Sequence, residues 1–386
     1  MKKNYLLYLV LVAIVYSCAG QQNNPNKAGY VTMLGNDTLA VEVFEKTESG
    51  ITAKVILRSP RTTFNTYDLV YDGSWGIESL TRTSYSLEEG FSGSGSVTQT
   101  VEKEGDSLKV SNTGNNGTST RTIAYQRGVL PFIDMVHWPF EQGLNNALRV
   151  GIDEVYQKML SGSRIQDFVI RKIADDSMTI QHPSRGIMGV DIDENGNLAM
   201  LDAGLTTRKL VVRRVSGLDI DAIGKRFAEA DKNGSPFGAL SGAVEETFSF
   251  SNTDFTVSYG SPLKRGRDIY GGIVPYGQRW RTGANRATHF KTSKNLRIGD
   301  LNIPAGEYTL FTIPEADGGT LIINKQTGQN GRTYDEARDL GRVALTRSSQ
   351  SDVTEAFTIR VEEKGNGGTL KLMWDQTIYS VDFDIR

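Results

Sequence analysis

Apolar and polar residues alternate along this chain in short runs broken by turn residues. Thr38-Leu39-Ala40-Val41-Glu42-Val43, Thr52-Ala53-Lys54-Val55-Ile56-Leu57, Thr66-Tyr67-Asp68-Leu69-Val70-Tyr71 and Phe255-Thr256-Val257-Ser258-Tyr259 are representative. A period of two places every apolar side chain on one face, so each run specifies a half-buried antiparallel strand and excludes a helical bundle. Asp72-Gly73, Asn116-Gly117 and Asn195-Gly196 are hairpin signals, because both residues of each pair tolerate the positive φ that tight turns need. Forty-one glycines among 386 residues keep such turns available from end to end.

The pattern predicts a mainly β protein in two units. Residues 29–216 read as one antiparallel domain, a curved sheet or half-barrel, with a helical interruption between Phe140 and Arg149. Asp219 to Asp231 is a helix: Ile220, Ile223, Phe227 and Ala230 fall three or four apart, and Asp219 caps the start. Breakers follow in Lys232-Asn233-Gly234-Ser235-Pro236-Phe237-Gly238, so residues 217–244 form a helix and linker. Residues 245–386 hold seven to nine short strands, which suggests a β-sandwich of jelly-roll type, with one helical stretch at Tyr334 to Leu340.

The first residues carry a different signal. Lys2 and Lys3 precede an apolar run from Tyr5 to Tyr16, and small residues follow, the layout of a secretory leader over residues 1–17. About 11 apolar residues rise only ~16 Å as a helix, too little for a hydrocarbon core of ~30 Å. Val15-Tyr16-Ser17-Cys18 resembles the lipobox of bacterial lipoproteins, which implies cleavage before Cys18 and acylation of its thiol. Tyr16 departs from the small or aliphatic residue usual there. Residues 18–28 are polar and read as a tether. The resemblance implies a membrane partner reached through the lipid anchor. With no Asp after Cys18, it implies a cell-envelope address at the outer membrane, facing the periplasm.

Several chemistries are unsupported. Cys18 is the only cysteine, so a used Cys18 leaves no thiol for disulfides, zinc or catalysis. His137, His182 and His289 are scattered without ligand spacing. A net charge of −2 gives no footprint for nucleic acid, and no motif points to a cofactor.

The second unit carries a resemblance. Tyr259-Gly260-Ser261-Pro262-Leu263-Lys264-Arg265-Gly266-Arg267, Val274-Pro275-Tyr276-Gly277-Gln278-Arg279-Trp280-Arg281-Thr282-Gly283-Ala284-Asn285 and Pro304-Ala305-Gly306-Glu307-Tyr308-Thr309-Leu310-Phe311-Thr312-Ile313-Pro314 occur in that order. Together they resemble the domain of unknown function family 2911, from Phe250 to the end. The resemblance implies an exported bacterial protein and supplies no reaction. Thr320 and Asn330 stand where that family commonly has aromatic residues.

Between Lys264 and Lys294 lie eight basic residues and one acid, Asp268, interleaved with glycines. Tight turns beside guanidinium groups suit an anion, so Lys264, Arg267, Arg279, Arg281 and Asn285 are candidate ligand-binding residues. Alternatively these cations pair with Glu355, Asp375 or Asp382 on other strands. Asp191, Asp193, Asn195 and Asp202 fit the spacing of a calcium loop, although their flanks read as strands and Glu194 to Asn197 as a hairpin turn. Ser261-Pro262-Leu263-Lys264 and Lys291-Thr292-Ser293 lack the helix that serine-lysine chemistry requires. The expectation is a non-catalytic envelope lipoprotein that binds or scaffolds a polar or anionic small molecule, a glycan or an envelope partner. The alternative is an envelope hydrolase of glycans or esters. Lipid handling is a third reading, should the first sheet enclose an apolar cavity.

Overall fold

A computed structural model describes residues 26–386 of the chain; the leader and Cys18 lie outside the described residues. The described residues form a fifteen-stranded sheet, two helices, and a nine-stranded sheet. The protein is mainly β, and neither sheet closes into a barrel.

The first sheet grows as two meanders from a shared centre. Lys27–Leu34 pairs with Asp37–Lys46, and each later strand adds beside its predecessor until Gly117–Ala124 forms one edge. The chain then crosses to the other edge at Leu130–Pro131 and adds strands inward until Val211–Val215 pairs with Lys27–Leu34. Helix α1, Trp138–Val150, lies in the crossing. Its buried Trp138, Phe140, Leu144 and Ala147 belong to one core with Tyr30, Phe44, Leu69 and Phe168 of the strands. The sheet's inner face is therefore filled by protein, which leaves the lipid-handling reading without support.

Sequence alone does not explain how so polar a helix sinks there. Its entry is held by Glu42, wholly buried on a neighbouring strand, whose carboxylate accepts from the backbone N–H of His137 and of Trp138. An acid at a helix start satisfies orphan amides and complements the dipole.

Helix α2, Ile220–Lys232, starts where expected, with the Asp219 side chain accepting from Ala222 N at 2.9 Å. It packs Ile220 and Ala228 on Val41, Ile56 and Phe64, on the outer face of the first sheet. The second domain departs from the expected set of short strands. Asp339–Lys364 and Gly367–Ile385 are long strands interrupted by register shifts between Ser349 and Thr358. Such bulges bend a strand, so one continuous sheet folds over its own core. Tyr259 thereby reaches the far half of the long strand, its hydroxyl accepting from Ile359 N at 3.1 Å. The expected helix at Tyr334 to Leu340 is corrected: only Glu336–Arg338 makes one 3-10 turn, because Gly341 and its successors are taken by pairing with Ile323 and its neighbours. No helix among the described residues is long and apolar enough to cross a membrane.

Arg265 joins the two domains. Its guanidinium pairs with Asp37 at 2.6 Å, donates to Phe237 O at 2.7 Å and lies 3.8 Å over the Phe237 ring. Its carbonyl accepts from Asn36 N at 2.9 Å. Gly35 makes this approach possible: its φ is 61°, and a Cβ there would fall 2.0 Å from Arg265 O.

Candidate anion site

Five cations of the glycine-rich stretch meet different fates. Lys264 pairs with Asp375 at 2.7 Å, as the ion-pair alternative expects. Arg265 serves the domain junction, and its N–H donates to Glu355. Arg267 closes its own loop by donating to the carbonyls of Lys264 and Leu263. Arg279 stacks 3.9 Å over Tyr334. The remaining acid, Asp382, is taken by Lys364. These side chains are spent on structure.

Arg281 is not. It is half-buried, its Nε is buried without a partner, and its guanidinium has no hydrogen bond or ion pair among the described residues. Burial, reinforced by the nearby positive charge of Arg332, pushes its pKa down. Two backbone links bring Arg332 close: Gly331 N donates to Asn285 O at 3.1 Å, and Arg286 bridges Asn330. Asn285, at φ 65°, contributes that carbonyl. Gly331 sits under the Arg281 stem, where a Cβ would meet Cδ at 2.2 Å and the carbonyls of Asn285 and Arg286 at 2.9 and 3.0 Å. Asn330, in place of an aromatic, is the turn-former: its side-chain oxygen accepts from Arg332 N and Thr333 N. Thr320 simply pairs with Ile313 and Ala344 in the sheet.

Arg332 is also within electrostatic reach of His182, on the strand Ser177–His182, together with Arg185 and Arg208. The Asp134 carboxylate also acts on His182, and both Arg185 and Arg208 pair with it. Burial tends to raise the Asp134 pKa, but the two guanidinium groups outweigh it and hold the carboxyl low.

The histidines separate by their bonds. His289 is fully engaged: Nε2 accepts from Gly328 N at 2.9 Å and Nδ1 lies 2.9 Å from Ala287 O. His137 puts Nδ1 3.0 Å from Glu42 and 3.2 Å from Thr32, all three buried. Because both neighbours share one ring nitrogen, this trio cannot relay a proton from hydroxyl through imidazole to carboxylate. In His182, Nδ1 accepts from Ser184 N at 3.1 Å, which places the proton on Nε2, and that atom is buried without a partner. The rings of Phe132 and Phe168 flank it. Burial, then Arg185, lowers the pKa from 6.5 to about 4, so the ring is neutral at neutral pH and still presents an N–H. His182 and Arg332 were invisible as site residues in the sequence; the only local signal was a His-Pro-Ser-Arg turn, which carries no spacing rule.

A pH dependence follows. The unfolded ring binds a proton below 6.5 and the folded one only near 4, so the unfolded state holds more protons in that window and stability falls on acidification. Denaturant titrations at several pH values should show a loss approaching about 3 kcal/mol through this window that is absent in His182→Phe. Equal pH slopes in the two proteins would refute the assignment.

The other candidates separate. Asp193 accepts from Asn195 N, Asn197 N and the Asn197 side chain, which closes the hairpin turn. Asp202 accepts from Gly204 N, and Asp191 pairs in the ladder with Met200. Among the described residues no three His, Cys, Asp or Glu converge as metal ligands. Ser261 donates to Phe357 O, and Ser293 accepts from Asp254 N, so neither is poised as a nucleophile. A groove of about 290 Å³ beside α2 gathers Glu88, Glu89, Asp221 and Glu229 with Lys225 and Lys232.

Comparison with known proteins bears on the second domain. Residues 241–383 match the model of a family described as protein of unknown function (DUF2911), in agreement with the motif resemblance. No curated protein matches the chain. A solved chain described under botulinum neurotoxin type C and its interaction with two ganglioside molecules aligns at 10% identity, over 92% of this chain and 84% of that one. Its TM-score is 0.11, far below that of a shared fold.

Proposed function

We propose that this protein is a non-catalytic cell-envelope lipoprotein, anchored through Cys18 at the outer membrane, that binds an anionic ligand where its two domains meet. Arg281 and Arg332 come from the second domain, and His182 Nε2 with Arg185 and Arg208 from the first. The observation that carries this reading is the half-buried Arg281 guanidinium that no carboxylate answers. Taking a cation out of water without a partner is costly, and a carboxylate, phosphate or sulfate group would supply the missing charge and accept the orphan N–H donors. A planar guanidinium fork suits an oxyanion better than a metal or a neutral sugar.

The test is thermal unfolding of the mature protein with inorganic phosphate, sulfate or citrate against chloride at equal ionic strength. A ligand that binds only the folded state raises the melting temperature by mass action, and the rise should vanish in Arg332→Ala. Failure of all three anions to shift the wild type, or a shift that survives the substitution, would count against the site.

A further inference from the structure

We infer that the end of the first domain where the described chain begins is a membrane-contacting surface, seated on lipid by exposed apolar side chains. The inference rests on the Cys18 anchor proposed above. Asn26 O accepts from Lys46 N at 2.8 Å, which fixes where the chain enters the fold. Hydrogen bonds link the turns that surround this point into a ring. Tyr71 N donates to Ser49 O, which joins the turn after Lys46 to the one holding Trp75. Arg149, in the last turn of α1, lies 4.2 Å over the Trp75 ring. Lys172 N donates to Asp153 O, bringing Ile173 beside Ile152. Ile192 N donates to Asp176 O, and Asn145 donates to Gly196 O, which closes the ring at Lys46 through its bond to Asn197.

This rim carries Trp75, Val150, Ile152 and Ile173, with exposures of 38, 60, 56 and 63%. Single exposed apolar residues are ordinary on any surface; four on one rim mark a contact. Tryptophan beside aliphatic side chains is the composition that settles at the headgroup level of a bilayer. The length of chain before the fold decides the occupant. Asn26 follows Cys18 by eight residues, so even a fully extended segment spans at most about 28 Å. An acylated Cys18 therefore holds this rim next to the lipid surface and leaves the anion site at the far end, toward the second domain. The rim also carries Glu48, Asp153, Asp175, Asp176 and Glu194 against Lys27, Arg149 and Lys172, so apolar insertion and not attraction to anionic lipid supplies the contact.

The test uses the full lipidated chain in uncharged vesicles of phosphatidylcholine and phosphatidylethanolamine. Because Cys18 is acylated, Ile152→Cys supplies the one free thiol for a fluorescent label, as does Leu205→Cys in the turn between Leu198–Asp202 and Val211–Val215 at the opposite end of the sheet, and both positions are exposed, so folding is spared. Flotation reports the anchor and iodide quenching reports the rim. The expected result is flotation with quenching at position 152 reduced at least about threefold on vesicle binding, and unchanged at position 205. Flotation with equal quenching at both positions would overturn the rim contact while leaving the anchor standing. Failure to float would remove the anchor and this inference with it.

Discussion

Glu141→Ala should lower the stability of the first domain by about 3–5 kcal/mol, which in a domain of this size is on the order of 10 °C in melting temperature. Glu141 is wholly buried in the first turn of α1, and its carboxylate accepts from the Tyr30 hydroxyl, from Lys46 at 2.7 Å and from Arg214. Tyr30 is itself at the centre of the sheet and completely buried, and burial followed by the charge of Glu141 raises its pKa well above 10. Removing the carboxylate leaves two cations, each about one fifth exposed, without the anion they share. The loss comes chiefly from stranding those charges, because an intact buried pair is often no better than an apolar replacement of the same shape. Glu141→Leu combined with Lys46→Met and Arg214→Met should therefore recover much of what Glu141→Ala loses. A single substitution that melts within about 1 °C of the wild type would show that this carboxylate does not hold α1 in place.

The contrast between α1 and α2 shows what could be read in advance. Both helices were located, because α2 carries an apolar stripe and a capping Asp219, and the turn pattern breaks at α1. The placement of α1 inside the sheet was not readable. It depends on Glu42, Lys46 and Arg214 meeting Trp138 and Glu141 across sequence separations of 73 to 96 residues, and periodicity reports only a residue's own face. The same limit explains the second domain. Alternation found strands at Ala356 to Val361, Leu370 to Trp374 and Tyr379 to Ile385. That the last two are one bent strand, paired with a partner that also contains the first, is a property of the bulges between Ser349 and Thr358. At the anion site, composition singled out a cationic stretch, and the structure divides it. Lys264 and Arg279 have partners far along the chain, whereas Arg281 has Arg332, about fifty positions away, as its charged neighbour.

Arg281→Met should move stability and binding in opposite directions. The guanidinium is desolvated, sits beside Arg332 and has no acid among the described residues, so in the empty protein it opposes folding. Methionine keeps an unbranched apolar stem over Gly331, where packing already brings the Arg281 Cδ close. Removing the charge should thus leave the melting temperature unchanged or raise it, by up to about 1 kcal/mol of stability. Binding of phosphate, sulfate or citrate should weaken at the same time by about 10- to 100-fold, the worth of a charge-assisted hydrogen bond or two. Arg281→Lys separates charge from shape: a point charge retains attraction but loses the planar fork, so its affinity should fall between the two. A residue that served only the fold would behave in the reverse manner, with Met costing stability and anion affinity indifferent to the change. Calorimetric titration of the three proteins alongside their melting curves distinguishes the cases, because a structural arginine and a ligand-binding one predict opposite signs for the same substitution.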